Sequence, residues 1–347
     1  MSTSDVLDQL STVIEPDIQR DIVSLGMVRN LNIDDASVTF TLAMPVYNSP
    51  HADSLVEQAK AAAQQVSGIE SVSVEWIVDV PTNPEVHGRS DVPARHLIAV
   101  SSGKGGVGKS TVSANIATAL AQAGAAVGRM DADILGPNLP TIIGVQRLPP
   151  PTPQKLVPAE THGLQLISMG FLVDRDKPLI WRGPMLHQAI RQLFVDVEWA
   201  ELEYMIIDLP PCSGDAQLTL AQIVPLTGAV IVTQPQEVAL SDARRGLAMF
   251  ETVEVNEMGV VENMAGALFG TGGGETFAAE KGVPFLGRVP LDAQIRVGGD
   301  SGQPVVVAAP ESEAAEAFRQ IAHRIAVQAS AMALSEDDDA IPLTTIG

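Results

Sequence analysis

Leu97-Ile98-Ala99-Val100-Ser101-Ser102-Gly103-Lys104-Gly105-Gly106-Val107-Gly108-Lys109-Ser110-Thr111 decides how the rest of this chain is read. The apolar run 97–100 has the character of a strand buried on both faces of a parallel sheet. Glycines at 103, 105, 106 and 108 follow, and residues 111–123 then show helical spacing and many alanines. Strand, glycine loop and helix is the context a phosphate-binding loop needs, and residues 103–110 match G-x-x-x-x-G-K-[ST] at each fixed position. Glycines let the backbone curl until several N–H groups aim at one phosphate, and the helix N-terminus adds its partial positive charge. The segment Gly103, Lys104, Gly105, Gly106, Val107, Gly108, Lys109, Ser110, Thr111 is therefore the expected nucleotide-phosphate cradle. Lys109 is expected to reach the β- and γ-phosphates of ATP as a point charge, and Ser110 to offer its hydroxyl to Mg²⁺.

Working outward, residues 126–130 read as a second strand that delivers Asp131-Ala132-Asp133. Carboxylates at the C-terminal end of a parallel strand sit where the sheet meets its ligand. Asp133 is expected to orient the attacking water or the Mg²⁺ shell, and Asp131 to do likewise or to hold the loop. Residues 204–208 form another apolar run ending in a carboxylate, so Asp208 is expected to hold the Mg²⁺ shell. The stretch 209–215 reads as a switch-like loop. Further strands are expected at 164–169, 229–234, 259–262 and 285–289, with helices over 181–197, 241–252 and 311–334. For Arg182 a phosphate or partner contact and a structural ion pair both stand open. The predicted fold is α/β, a P-loop NTPase with a parallel sheet flanked by helices.

The 347 residues suffice for two domains, and 46% hydrophobic content supports a large core. A net charge of −21, with six lysines to fifteen arginines, argues against non-specific DNA binding, which needs a positive surface. An acidic surface poor in lysine is also what adaptation to high salt produces. No apolar run reaches membrane-spanning length, and the first residues lack a basic region followed by an apolar core. A cytoplasmic protein without membrane partners is expected. Cys212 is the only cysteine, so there is neither an intrachain disulfide nor a Cys-x-x-Cys site. The six histidines show no ligand-like spacing.

Residues 1–80 read as a separate small α+β domain. Helices are expected over 4–15, 18–25 and 52–66, and strands over 28–33, 37–43 and 72–78. Residues 81–95, rich in proline, read as a linker. Residues 96–334 form the expected ATPase domain, and 335–347 an acidic tail expected to be disordered.

Two resemblances rest on these residues. EPDIQRDIVSLGMV (15–28), the strand ending at Met44-Pro45 and GIESVSVEW (68–76) resemble the MIP18-like domain of iron–sulfur assembly factors. The family's cysteine before a proline is missing here, where residues 45–54 read PVYNSPHADS. The second lysine in GKGGVGKS resembles the deviant P-loop group (SIMIBI-type) that includes MinD, ParA, the nitrogenase iron protein and Mrp. GKGGVGKST, MDADILGPNLP (130–140), WRGPM (181–185), MIIDLPP (205–211), VTQPQEVAL (232–240) and GVVENM (259–264) together resemble the Mrp/ApbC family over about residues 96–330.

That resemblance implies slow, switch-type ATP hydrolysis by a homodimer. Lys104 would complete the partner's catalytic site, and Asn263 would contact adenine. It also implies iron–sulfur cluster carriage, with apoprotein clients or scaffold proteins as partners. Here the chain departs from the family: the segment after GVVENM reads AGALFGTGGGE and lacks the family's Cys-x-x-Cys. Cluster carriage therefore rests on the resemblance alone, and Cys212 is the one thiol that could serve as a ligand. Two other readings are an ATP-switched adaptor that carries no cluster, and a positioning ATPase like ParA or MinD. The acidic surface and a tail that is not a basic amphipathic helix speak against the last.

Overall fold

The computed structural model describes residues 2–86, 92–133, 136–172, 183–211 and 214–335. These fall into two compact units, residues 2–81 with 326–335, and residues 82–325.

The first unit opens with α1 (Thr3–Leu10), started by a reciprocal cap in which Asp5 N–H donates to Ser2 Oγ and Ser2 N–H donates to the Asp5 carboxylate. The helix ends five residues short of the expected Glu15. Ile14–Glu15 (β1) instead pairs antiparallel with Arg20–Asp21 (β2) around the turn that begins at Pro16. The helical turn expected over 18–25 is likewise a tight bend, because the Asp21 carboxylate accepts the N–H groups of Val23 and Ser24. Then β3 (Val28–Asp34), β4 (Ser37–Met44), α2 (Ala52–Ala63) and β5 (Ser71–Val78) follow. The sheet order is β3-β4-β5, the first pair antiparallel and the second parallel. Leu55 and Ala59 of α2 pack with Val38, Phe40 and Leu42 of β4 in the unit's own core. The last turns of the C-terminal helix belong here too: Ser330 Oγ donates to the Pro45 carbonyl, and Arg20 donates to the Leu334 carbonyl.

The strands of the second unit are β6 (Ala94–Ser101), β7 (Val127–Asp131), β8 (Ala159–Thr161), β9 (Leu164–Ser168), β10 (Leu202–Asp208), β11 (Gly228–Thr233), β12 (Glu257–Ala265) and β13 (Phe285–Pro290). Its helices are α3 (Lys109–Ala123), α4 (Leu139–Ile143), α5 (Met169–Leu172), α6 (Gly183–Val195), α7 (Gly214–Ile223), α8 (Glu237–Thr252), α9 (Gly273–Lys281), α10 (Ala293–Asp300), α11 (Val305–Ala308) and α12 (Glu313–Ser335), the last ending in the first unit. The sheet runs β13-β12-β11-β6-β10-β7-β9-β8, and each neighbouring pair is parallel except β8 with β9.

The strands are buried runs, as parallel strands covered on both faces must be. On one face Leu97, Ala99, Met130, Met205 and Ile207 pack with Ile190 and Phe194 of α6, Leu220 of α7 and Phe250 of α8. Each of these side chains except Ala99 contributes about 1.5–3 kcal/mol relative to exposure. The period of two sends the alternate residues Arg129, Asp131, Ile206 and Asp208 to the other face, in register across the pair: Arg129 lies opposite Ile206, and Asp131 opposite Asp208. The strand order reverses beside β6, since β10 and β11 flank it on opposite sides. That reversal opens a crevice at the strands' carboxyl ends.

Two sequence expectations shift at this edge. Helix α7 begins at Gly214, inside the stretch expected to be a switch-like loop. Strand β12 continues through Asn263 to Ala265, with an irregular register after Glu262 and Met264 at φ 58°.

Candidate functional site

Strand β6 ends at Ser101, and the chain must turn sharply to start α3 beside it. Gly106 (φ 82°) and the helix N-cap Gly108 (φ 84°) make the turn in the left-handed region. Gly108 has a second reason to be glycine: a Cβ there would lie 2.3 Å from Asn263 Nδ2. Gly103 presses on α8, where a Cβ would come within 2.0 Å of the Asp242 backbone. Two further bonds hold the loop. Ser102 Oγ donates to the Lys104 carbonyl at 2.9 Å, and Asn263 Nδ2 donates to the Val107 carbonyl at 2.8 Å.

The charged groups beneath the loop form one network. Lys109, on the first turn of α3, places Nζ 2.5 Å from Asp208 Oδ1 and 3.8 Å from Asp133 Oδ2. The same nitrogen is 3.4 Å from Ser110 Oγ. Arg129, wholly buried on β7, approaches Asp208 from the other side, with Nη2 3.4 Å from Oδ2. Asp131 holds the loop after β7: Oδ1 accepts the Asp133 N–H, and Oδ2 accepts Ser168 Oγ–H and the Leu139 N–H. Of the two roles open to Asp131, the contacts therefore match loop-holding.

Burial, and next the negative charge of Asp208, push the Asp131 carboxyl up to about 7, against the opposing pull of Arg129 and Ser168. The unfolded chain loses this proton near 3.8, so between about pH 4 and pH 7 the unfolded state binds fewer protons than the folded one. This group's contribution to stability is complete below the unfolded pKa and is lost as pH rises through the folded one. Asp131→Asn removes that loss, so its urea-unfolding free energy should fall less steeply than the wild type's between pH 4 and 7. Parallel pH profiles would show that Asp131 does not titrate in this way.

The loop, the network and the ends of β12 and β13 enclose a cleft of about 700 Å³. Lys104, Gly105, Gly106, Gly108, Lys109, Ser110, Thr111, Asp133 and Asn263 line it, which brings together most of the residues singled out in the sequence. Gly103 and Val107 act behind the lining, the first against α8 and the second through its bond from Asn263. Asp208 lies under the floor and is reached through Lys109. Cys212 and Arg182 lie outside the described residues.

Sequence reasoning missed two parts of the site. Pro290, Leu291 and Asp292 at the end of β13, with Ile295 and Arg296 of α10, form one wall. Their signal was a polar break at the carboxyl end of the last parallel strand. The other is Arg129, a charged residue inside a buried strand.

After β12 the chain makes a small hairpin in which Gly266 and Gly270 exchange both backbone bonds. The buried Glu262 carboxylate fastens its far end by accepting from Gly272 N–H, Gly274 N–H and Arg288 Nε. Leu268 stands exposed at the tip.

Chains that bring such a strand, loop and helix to the central crevice of a parallel sheet are P-loop NTPases, and this chain is one. Residues 93–326 match the ParA-type model of the NUBPL iron-transfer P-loop NTPases, and residues 3–76 match that of iron–sulfur cluster assembly proteins. The chain belongs to this NTPase family, with the assembly-type domain in front, as the two sequence resemblances implied. An iron–sulfur cluster carrier protein from Synechocystis is 47% identical over 96% of this chain and 99% of its own length. The Escherichia coli protein of the same name is 38% identical over 93% of this chain and 91% of its own. A nucleotide-binding protein from Archaeoglobus fulgidus, solved in complex with ADP, superposes with a TM-score of 0.56 at 33% identity, covering 68% of this chain and 97% of its own. The cell-division ATPase MinD from Pyrococcus furiosus (TM-score 0.54, 24% identity, 66% of this chain and 98% of its own) shares the fold. Among the described residues, no helix is long and apolar enough to cross a membrane.

Proposed function

We propose that this chain is a Mg²⁺-dependent ATPase of switch type that works as a homodimer in the delivery of iron–sulfur clusters to apoproteins. The observation that carries the reading is the Lys109–Asp208 pair at the floor of a glycine-lined cleft. ATP enters with its phosphates over the loop N–H groups, and Lys109 exchanges Asp208 for the β- and γ-phosphates. The exchange is close to charge-neutral for the ammonium, which trades one anionic partner for another.

The residues present suit Mg²⁺. Ser110 Oγ and Asp208 Oδ1 are hard oxygen donors that already converge on one cationic point, Lys109 Nζ. When bound, Mg²⁺ supplies charge neutralisation at the β- and γ-phosphate oxygens. Asp133 orients the attacking water, Lys104 completes the partner's site, and Asn263 meets the adenine. Turnover is slow, because hydrolysis serves to change dimer geometry.

The cluster is cargo. The hairpin at 266–270, where the family resemblance leads one to expect thiolates, carries none, and the sequence holds one cysteine per chain. This favours a second reading, an ATP-switched adaptor that brings scaffold and client together without holding the cluster itself. Anaerobic reconstitution of wild type and Cys212→Ala, with iron and sulfide counted per dimer, separates the two. Stoichiometric cluster lost in Cys212→Ala supports carriage. No cluster in either protein leaves the adaptor.

A further inference from the structure

Arg129 has no place in the roles assigned above, yet it occupies an expensive position. Its side chain is fully buried on β7, a strand buried along its whole length, where an apolar residue would fill the space without taking a charge out of water. Among the described residues, its Nε and Nη1 are buried without a hydrogen-bond partner. All its hydrogen bonding runs through Nη2, which meets Ser113 Oγ at 2.6 Å, the Ser110 carbonyl at 3.1 Å and Asp208 Oδ2 at 3.4 Å.

Two of these three acceptors belong to the residues proposed to hold Mg²⁺. We infer that Arg129 is the positioning residue that locks the Mg²⁺-shell pair Ser110 and Asp208 to each other from beneath, an inference that rests on the Mg²⁺–ATP reading above. Lys109 cannot do this, because it must leave Asp208 Oδ1 for the phosphates. Arg129 stays, since its partners lie on the first turn of α3 and the end of β10, and neither has to move for nucleotide to enter. It therefore keeps a counter-charge on Asp208 throughout the exchange. It also pins Oδ2 so that Oδ1 faces the cleft. Through the Ser110 carbonyl it sets the helix turn that carries the Ser110 hydroxyl. Ser113 Oγ, the shortest contact, tethers the guanidinium to α3 one turn further on. Partners that orient metal-holding groups in this way commonly change metal affinity by about 10–100-fold when removed.

The test is the affinity of the full chain for a fluorescent ATP analogue, measured in Mg²⁺ and again in EDTA, for wild type, Arg129→Met, Arg129→Lys and Ser113→Ala. In Arg129→Met the Mg²⁺ half-saturation should rise by about tenfold or more. Its affinity in EDTA should fall by clearly less than that, about threefold to fivefold, since the loop amides and Lys109 remain although Asp208 loses its lasting counter-charge. Arg129→Lys should recover part of the loss, and Ser113→Ala should show a smaller shift of the same kind. If wild type itself shows no Mg²⁺ effect, the underlying Mg²⁺ reading fails and this inference with it. If wild type shows the effect and Arg129→Met matches it, only the role of Arg129 is overturned. Equal losses in Mg²⁺ and EDTA also overturn it, because they mark general disruption of the site. Should Arg129→Met fail to fold by circular dichroism, Ser113→Ala decides: an unchanged Mg²⁺ half-saturation there overturns the inference.

Discussion

Lys109→Ala is expected to weaken ATP binding by at least about 100-fold, the largest effect of any single change in this site. The lysine is the one cation among the described residues that both lines the cleft at its floor and touches the network below. It is a compact ammonium on a flexible stem, suited to follow a phosphate. Its loss removes the attraction and also uncovers the Asp208 carboxylate, which then faces the incoming phosphates with only Arg129 to offset it. Breaking a buried ion pair from one side costs about 3–5 kcal/mol, and the second cation on Asp208 should hold the loss of folding stability below that range. Isothermal titration with ATP, beside thermal unfolding of the same variant, reads both effects. Tight ATP binding retained in Lys109→Ala would sink the assignment of the cleft.

Asp208→Asn should abolish Mg²⁺-dependent hydrolysis while improving one form of nucleotide binding. Asparagine keeps the shape but removes the charge that two buried cations share, Lys109 on Oδ1 and Arg129 on Oδ2. The variant should therefore melt well below wild type, because uncompensated buried charge is among the costlier defects. Phosphates bring negative charge back to the same place. ATP in EDTA should then raise the melting temperature of Asp208→Asn by more than it raises that of wild type, by linkage to a tighter metal-free complex. ATP with Mg²⁺ should add little further in the variant. An ATP–EDTA shift no larger than wild type's would mean that Asp208 is not the charge balancing Lys109.

Much of this site was legible without coordinates. The loop 103–111 could be read because a phosphate cradle needs glycine where φ is positive and a lysine at the helix start, and both demands are local. Asp208 could be read because it ends a buried strand, and Asp133 because it lies two residues past the end of another, so placement at the carboxyl edge follows from strand direction alone. The sequence was a poorer guide where long-range geometry sets the outcome. The bend at Asp21 replaced an expected helical turn because a side chain captured two backbone N–H groups. The β13–α10 wall was missed because nothing in the chain says which edge of the sheet folds over the cleft.

By itself, then, the sequence determined the class of fold, the phosphate loop, the acidic strand ends and the absence of a thiol pair after GVVENM. Tertiary structure alone decided which charges meet. Arg129 and Asp208 are separated by 79 positions in the chain, yet they share a face because β7 and β10 pair in parallel at one particular register. A shift of one residue would send the arginine into the opposite core and leave Asp208 with a single cation. Register is set by packing over the whole sheet, so no local motif could have announced that the Asp208 carboxylate is held from both sides.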